Sequence, residues 1–160
     1  MILVKTTVLM AQVANNMSNA ILISLLATLG FTLFSMVLSS IYHKNFIEPV
    51  LLGKMIHHHL KDSPTWVNNF FGTVIHFFAG YIFTEIHLFL YQILTPAWYN
   101  GLFLGLANGV IAVVVWYVLI RIYKDVLTTH LSQYLMQLVI GHIIFALIVV
   151  HMYAPPSLGV

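Results

Sequence analysis

The chain has 160 residues, of which 61% are hydrophobic and 6% charged, with a mean hydropathy of +0.96 and a formal net charge of +2. A soluble domain of this length needs far more surface charge, and an excess of +2 is too small to imply a nucleic-acid partner, so both classes are excluded. The absence of cysteine removes disulfides, thiolate metal sites and iron–sulfur clusters together, so any redox role would need a bound cofactor.

In chain order, residues 1–16 (MILVKTTVLMAQVANN) form an apolar N-terminal segment. It reads as an interfacial stretch, as part of a long first span, or as residues upstream of a start at Met17; it has no small-residue cleavage site and too few apolar residues for a span of its own. The membrane domain then runs from 17 to 153. Apolar runs of about 20 residues, enough to cross roughly 30 Å of hydrocarbon, place four spans at about 20–42, 68–90, 101–122 and 131–153. Between them lie a long His-rich loop at 43–66 and two short turns, TPAWYN and YKDVLTTH. In that loop, IEPVLLGKMIHHHLK can form a short helix at the membrane surface. A tail, 154–160, ends the chain. Spans in lipid must satisfy their own backbone, so the fold class is an all-α four-helix membrane bundle.

Lys44, Lys54, Lys61, Arg121 and Lys124 flank the first and third loops, and only Lys5 stands on the other side. The excess of cations on one side places those loops in the cytoplasm and both termini outside.

The spans suggest a duplicated helical hairpin. VIHFFAGYIF aligns with IGHIIFALIV, and SSIYHK with IRIYKD, which sets His76 on His142. Such a repeat is parallel, with a pseudo-two-fold axis along the membrane normal and the His-rich loop as an insertion in the first half. Equivalent depth makes His76 and His142 the candidate axial ligands of a single haem b, with Gly72, Gly80 and Gly141 leaving room for a porphyrin. His142 and His151 are nine residues apart and point to opposite faces, which disfavours a second, stacked haem. The plainer reading is that both imidazoles bond neighbouring helices and that no cofactor is held.

Small residues recur four apart: Gly72, Gly80 and Thr84 around His76, and Gly101, Gly105 and Gly109 in the third span with Asn108 beside them. Such stripes let helices approach closely, and Asn108 can partner a histidine or a carboxylate. Glu85 is an acid inside a span, where it has to be paired, protonated or hydrated. With His87 and His151 it is either a relay for protons or cations opening outward or a buried anchor. His43, His57, His58, His59 and His130 form a separate loop group whose charging near pH 6.5 would strengthen contact with anionic lipid. Three adjacent histidines on a helix point about 100° apart and do not share one metal, so no metal site is expected. No nucleophile elbow, HExxH, phosphate loop or paired acids occur, so no catalytic residue is assigned.

The stretches LLATLGFTLFSMVL, HFFAGYIF, GLFLGLANGVI and GHIIFALIV, in that order, resemble small four-span bacterial inner-membrane proteins of the YagU-like kind over residues 17–153. That resemblance implies an inner-membrane protein without a known reaction. An 18.1 kDa bundle with almost no soluble mass suits a non-catalytic accessory or assembly subunit, whose partners are the lipid bilayer and other membrane subunits met through the small-residue faces. The two rivals are a haem-binding, quinone-linked subunit and a proton or metal-ion permease.

Overall fold

The computed structural model describes residues 2–124 and 131–153, with side chains described from residue 19 onward. Asp125, His130 and the tail 154–160 lie outside the described residues. Five helices follow one another: α1 (Ile2–Tyr42), α2 (Glu48–His59), α3 (Thr65–Leu90), α4 (Trp98–Ile122) and α5 (Leu131–Tyr153). The segments Asn19–Tyr42, Thr65–Leu90, Trp98–Ile122 and Leu131–Tyr153 are each long and apolar enough to cross a membrane, and large apolar side chains such as Leu22, Val37, Phe78 and Val114 cover the outer faces.

The N-terminal segment is not a separate unit. α1 runs unbroken for 41 residues, about 60 Å at 1.5 Å per residue and twice the hydrocarbon thickness. Residues 2–29 contain neither Gly nor Pro, so no local signal ends the helix early. α1 stops at His43, whose φ of 51° is the left-handed turn that commonly closes a helix. Lys44 N donates back to Ser39 O at 3.1 Å. Phe46 N is caught by Ser39 Oγ and Ile47 N by Asn45 Oδ1, so the chain reverses at once into α2, where Pro49 sits in the first turn.

α2 does not simply lie on the surface. Phe46, Glu48 and Leu51 are each only 1% exposed. α2 meets α3 backbone to backbone: a Cβ on Gly72 would strike the Pro49 carbonyl and come within 2.7 Å of Gly53 N. The remaining helices stand side by side in the order α3, α1, α5, α4. α3 and α4, although consecutive in sequence, hardly touch.

Burial follows the repeat. With Tyr42 set on Tyr123, the buried positions Ala20, Ile23, Ser24, Ala27, Thr28, Phe31 and Ser35 of α1 fall on Gly101, Leu104, Gly105, Asn108, Gly109, Ala112 and Trp116 of α4, all buried. With His76 set on His142, Asn68, Gly72, Gly80 and Thr84 of α3 fall on Tyr134, Leu138, Ala146 and Val150 of α5, again all buried. The α4–α5 pair therefore corresponds to the α1–α3 pair along this shared stripe, while α5 buries in addition Gln137 and Gly141, whose counterparts Phe71 and Ile75 on α3 are exposed.

Candidate functional site: a cavity between α3 and α4

The inward stripe of α3 places His76, 9% exposed, against α1. Its Nε2 lies 3.0 Å from Thr32 Oγ1, and the Thr32 hydroxyl donates to the Thr28 carbonyl at 2.8 Å. The Thr32 hydroxyl can serve the Thr28 carbonyl or His76 Nε2 but not both; where it serves the carbonyl, His76 carries its proton on Nε2 and leaves Nδ1 as an acceptor. On α5, His142 Nδ1 lies 2.8 Å from the Leu138 carbonyl. A carbonyl only accepts, so His142 carries its proton on Nδ1 and Nε2 is the bare acceptor. Neither bare nitrogen has a partner among the described residues, and neither is sealed from open space.

Both histidines line a cavity of about 210 Å³. Phe31, Phe83 and Phe145 form aromatic walls, α4 contributes Ala112 and Trp116, and Glu48 of α2 stands at one end. Ile75 of α3 and Ile111 and Val115 of α4 also line it and are about half exposed, so the cavity opens sideways between the two helices that do not pack. Two hydrogen bonds bracket the opening. Asn108 Nδ2 donates to His87 Nε2 at 3.3 Å, with His87 oriented by its Nδ1–H to the Phe83 carbonyl. Toward the α2 end, His59 Nε2 and the Tyr123 hydroxyl lie 2.8 Å apart.

Glu48 closes a ring of polar groups linking three helices. Its Oε2 accepts from Ser35 Oγ of α1 at 3.0 Å and its Oε1 from Gln137 Nε2 of α5 at 2.9 Å, while Gln137 Nε2 also donates to Ser35 Oγ. No cation bonds Glu48 among the described residues, and burial pushes its carboxyl up from 4.5 to about 7, against the opposing pull of its hydrogen bonds. Glu48 is not among the site residues expected from the sequence. The signal that marks it is a lone acid inside FIEPVLL, an otherwise apolar stretch, with Gln133 and Gln137 available in the otherwise apolar α5.

The other expected site residues are distributed as follows. His76 and His142 do come together on one cavity, but Phe31 packs against both, with ring centroids 5.7 Å and 5.1 Å away. Axial ligation needs an open plane and metal–nitrogen bonds of about 2 Å. Phe31 takes that space and His76 Nε2 is engaged by Thr32, so the pair does not fit an axial haem. Glu85, His87 and His151 share no hydrogen bond among the described residues: His87 is buried against α4, Glu85 is partly exposed one turn from Tyr81, and His151 is exposed. Gly101, Gly105 and Gly109 face α5 rather than outward, where added Cβ atoms would fall 2.7 Å from Val150 Cγ1, 2.7 Å from Ile143 Cα and 2.8 Å from Val139 Cα. Among the loop histidines, His57 Nδ1 accepts from Asn68 Nδ2 at 3.0 Å while His59 turns to Tyr123. No three metal-ligating side chains cluster among the described residues.

The fold defines an all-α integral membrane bundle with a laterally open cavity. The chain matches no family model, no curated protein and no solved structure, so what the cavity does has to be argued from its own chemistry.

Proposed function

We propose that the protein is a non-catalytic integral membrane binding protein that takes a small lipophilic molecule sideways from the bilayer into the cavity between α3 and α4. The observation that carries this reading is the contrast between the unpacked α3–α4 interface, flanked by exposed Ile75, Ile111 and Val115, and the close packing of every other neighbouring pair. Its volume, about 210 Å³, exceeds the roughly 150 Å³ that accepts a benzene ring and falls short of the 300 Å³ or more of a drug-sized site. It suits a one-ring head whose tail stays in the lipid. A bacterial inner membrane with both termini outside accords with the lysine distribution. Association with further membrane subunits would use the outward faces of the helices, since the glycine stripe of α4 is spent on α5.

The test is mild purification from the native membrane followed by mass spectrometry of the extracted small molecules. One amphiphile per protein is expected with the wild type and none with Ala112→Phe, which fills the cavity from α4. An empty wild-type protein, or equal recovery from the filled variant, overturns the reading.

A further inference from the structure

The polar groups of the cavity restrict what its occupant can be. His142 has spent its only proton on the Leu138 carbonyl, and His76 Nε2 is engaged by Thr32. The Glu48 oxygens already accept from Ser35 and Gln137. What remains of the imidazoles is His142 Nε2 as an acceptor, joined by His76 Nδ1, on a wall whose other polar groups are the Thr28 hydroxyl, the Glu48 carboxyl and the Trp116 indole N–H. A ligand bearing only acceptors, such as an ether, an ester or a quinone carbonyl, finds no donor at His142 Nε2. A hydroxyl proton finds two acceptors in a medium of low dielectric, where an unmade hydrogen bond is costly on both sides. The walls add a second restriction, because the rings of Phe31 and Phe83 stand 5.1 Å and 5.6 Å from His142 and Phe145 lines the same space. Those separations lie within the range at which aromatic rings stack or meet edge to face, so a flat ring is the head group that continues the packing already present.

Resting on the cavity-binding reading above, we infer that the ligand is a hydroxyaromatic amphiphile, a phenol-type ring on an apolar tail, whose hydroxyl donates to His142 Nε2. The tail leaves between Ile75 and Val115 into the bilayer. No cation lines the cavity to receive a phosphate, which sets lipids with charged headgroups at a disadvantage there.

The structure supplies its own reporter. Trp116 is 8% exposed and lines the cavity, whereas Trp66 and Trp98 are 73% and 69% exposed. The full chain carrying Trp66→Phe and Trp98→Phe, in lipid nanodiscs, is titrated with a ring-brominated long-chain alkylphenol and, separately, with its methyl ether, and quenching of Trp116 is read. The phenol is expected to half-quench at about one-tenth of the bilayer mole fraction that the ether needs, the size of one well-made neutral hydrogen bond. His142→Phe, which keeps a ring beside Phe31, is expected to bring the phenol down to the level of the ether and leave the ether unchanged. Equal quenching by phenol and ether in the wild type overturns the ligand class while leaving the cavity as a binding site. Quenching by neither overturns the class and the binding reading together. Should His142→Phe not fold, the comparison of phenol with ether in the wild type decides alone.

Discussion

If the two halves are related by the repeat, α1 stands to α5 as α4 stands to α3, yet the first pair is packed and the second is open. Equivalent positions show why. On the packed side Phe31 of α1 fills the gap left by Gly141 of α5, so closely that a Cβ there would overlap its ring. The equivalents of that knob and hole are Ala112 and Ile75, a small residue on the helix that should supply the knob and a branched one where the hole should be. A little further along, Ser35 and Gln137 are tied through Glu48, whereas their counterparts, Trp116 and Phe71, have no polar link. One interface is locked by shape and by a buried acid. The other lacks both devices, and the cavity is what remains.

The sharpest way to break this comparison is to exchange the knobs. Phe31→Ala gives the closed interface the composition of the open one and removes a side chain only 5% exposed, so a loss of about 3 kcal/mol or more is expected. Ala112→Phe places a ring at the equivalent site beside open volume, and a change within about 1 kcal/mol of the wild type is expected. Both are read as shifts in the SDS concentration that unfolds the helical bundle. Comparable damage from the two variants would mean that α3 and α4 are not the open counterpart of α1 and α5.

Much of this difference could be read in the sequence, but not its sense. The four spans follow from apolar runs whose length is set by bilayer thickness, and the correspondence of His76 with His142 follows from local similarity, because both signals are contained in short windows. Asn108 was marked as a partner for a histidine, and His87 is the one it meets. The direction of the glycine stripes was not legible, since Gly101, Gly105 and Gly109 show that a helix is closely approached without showing by which neighbour. Glu48 was hidden for another reason. Its acid lies in the long loop, and only the tight reversal at His43 and Asn45 folds that loop back so that Glu48 meets Ser35 and Gln137, far away in sequence.

The buried acid makes the locked interface sensitive to pH. Glu48 is raised from 4.5 to about 7, so the folded state holds its proton where the unfolded chain would release it. The stabilisation is therefore complete below about pH 4.5, declines as the pH rises toward 7 and is level beyond, a total on the order of 3 kcal/mol. Ser35 from α1 and Gln137 and Tyr134 from α5 face the carboxyl, and none of them supplies a compensating positive charge. Unfolding titrations in SDS between pH 4.5 and 8 are expected to show this decline as the difference between the wild type and Glu48→Gln, whose neutral amide keeps hydrogen-bonding capacity toward both partners, because the buried histidines that charge on unfolding are common to both proteins. A difference between the two proteins that increases with pH over that window would mean that Glu48 is ionised and compensated, and the lock would need a different explanation.

The smallest expected effect concerns the open side. If α3 and α4 are held there only by their turn and by the bond from Asn108 to His87, that bond should carry little energy, since at 3.3 Å it is long for a hydrogen bond. Polar contacts between membrane helices average about 0.6 kcal/mol in double-mutant cycles, because each group finds other partners when the contact is lost. A cycle with Asn108→Ala and His87→Ala is therefore expected to give a coupling of about 0.6 kcal/mol, whatever the single variants lose through the removal of two buried side chains. A coupling above about 2 kcal/mol would show the α3–α4 pair to be held as firmly as α1 and α5. The cavity between them would then be enclosed by a rigid wall, and a ligand could no longer reach it sideways from the lipid.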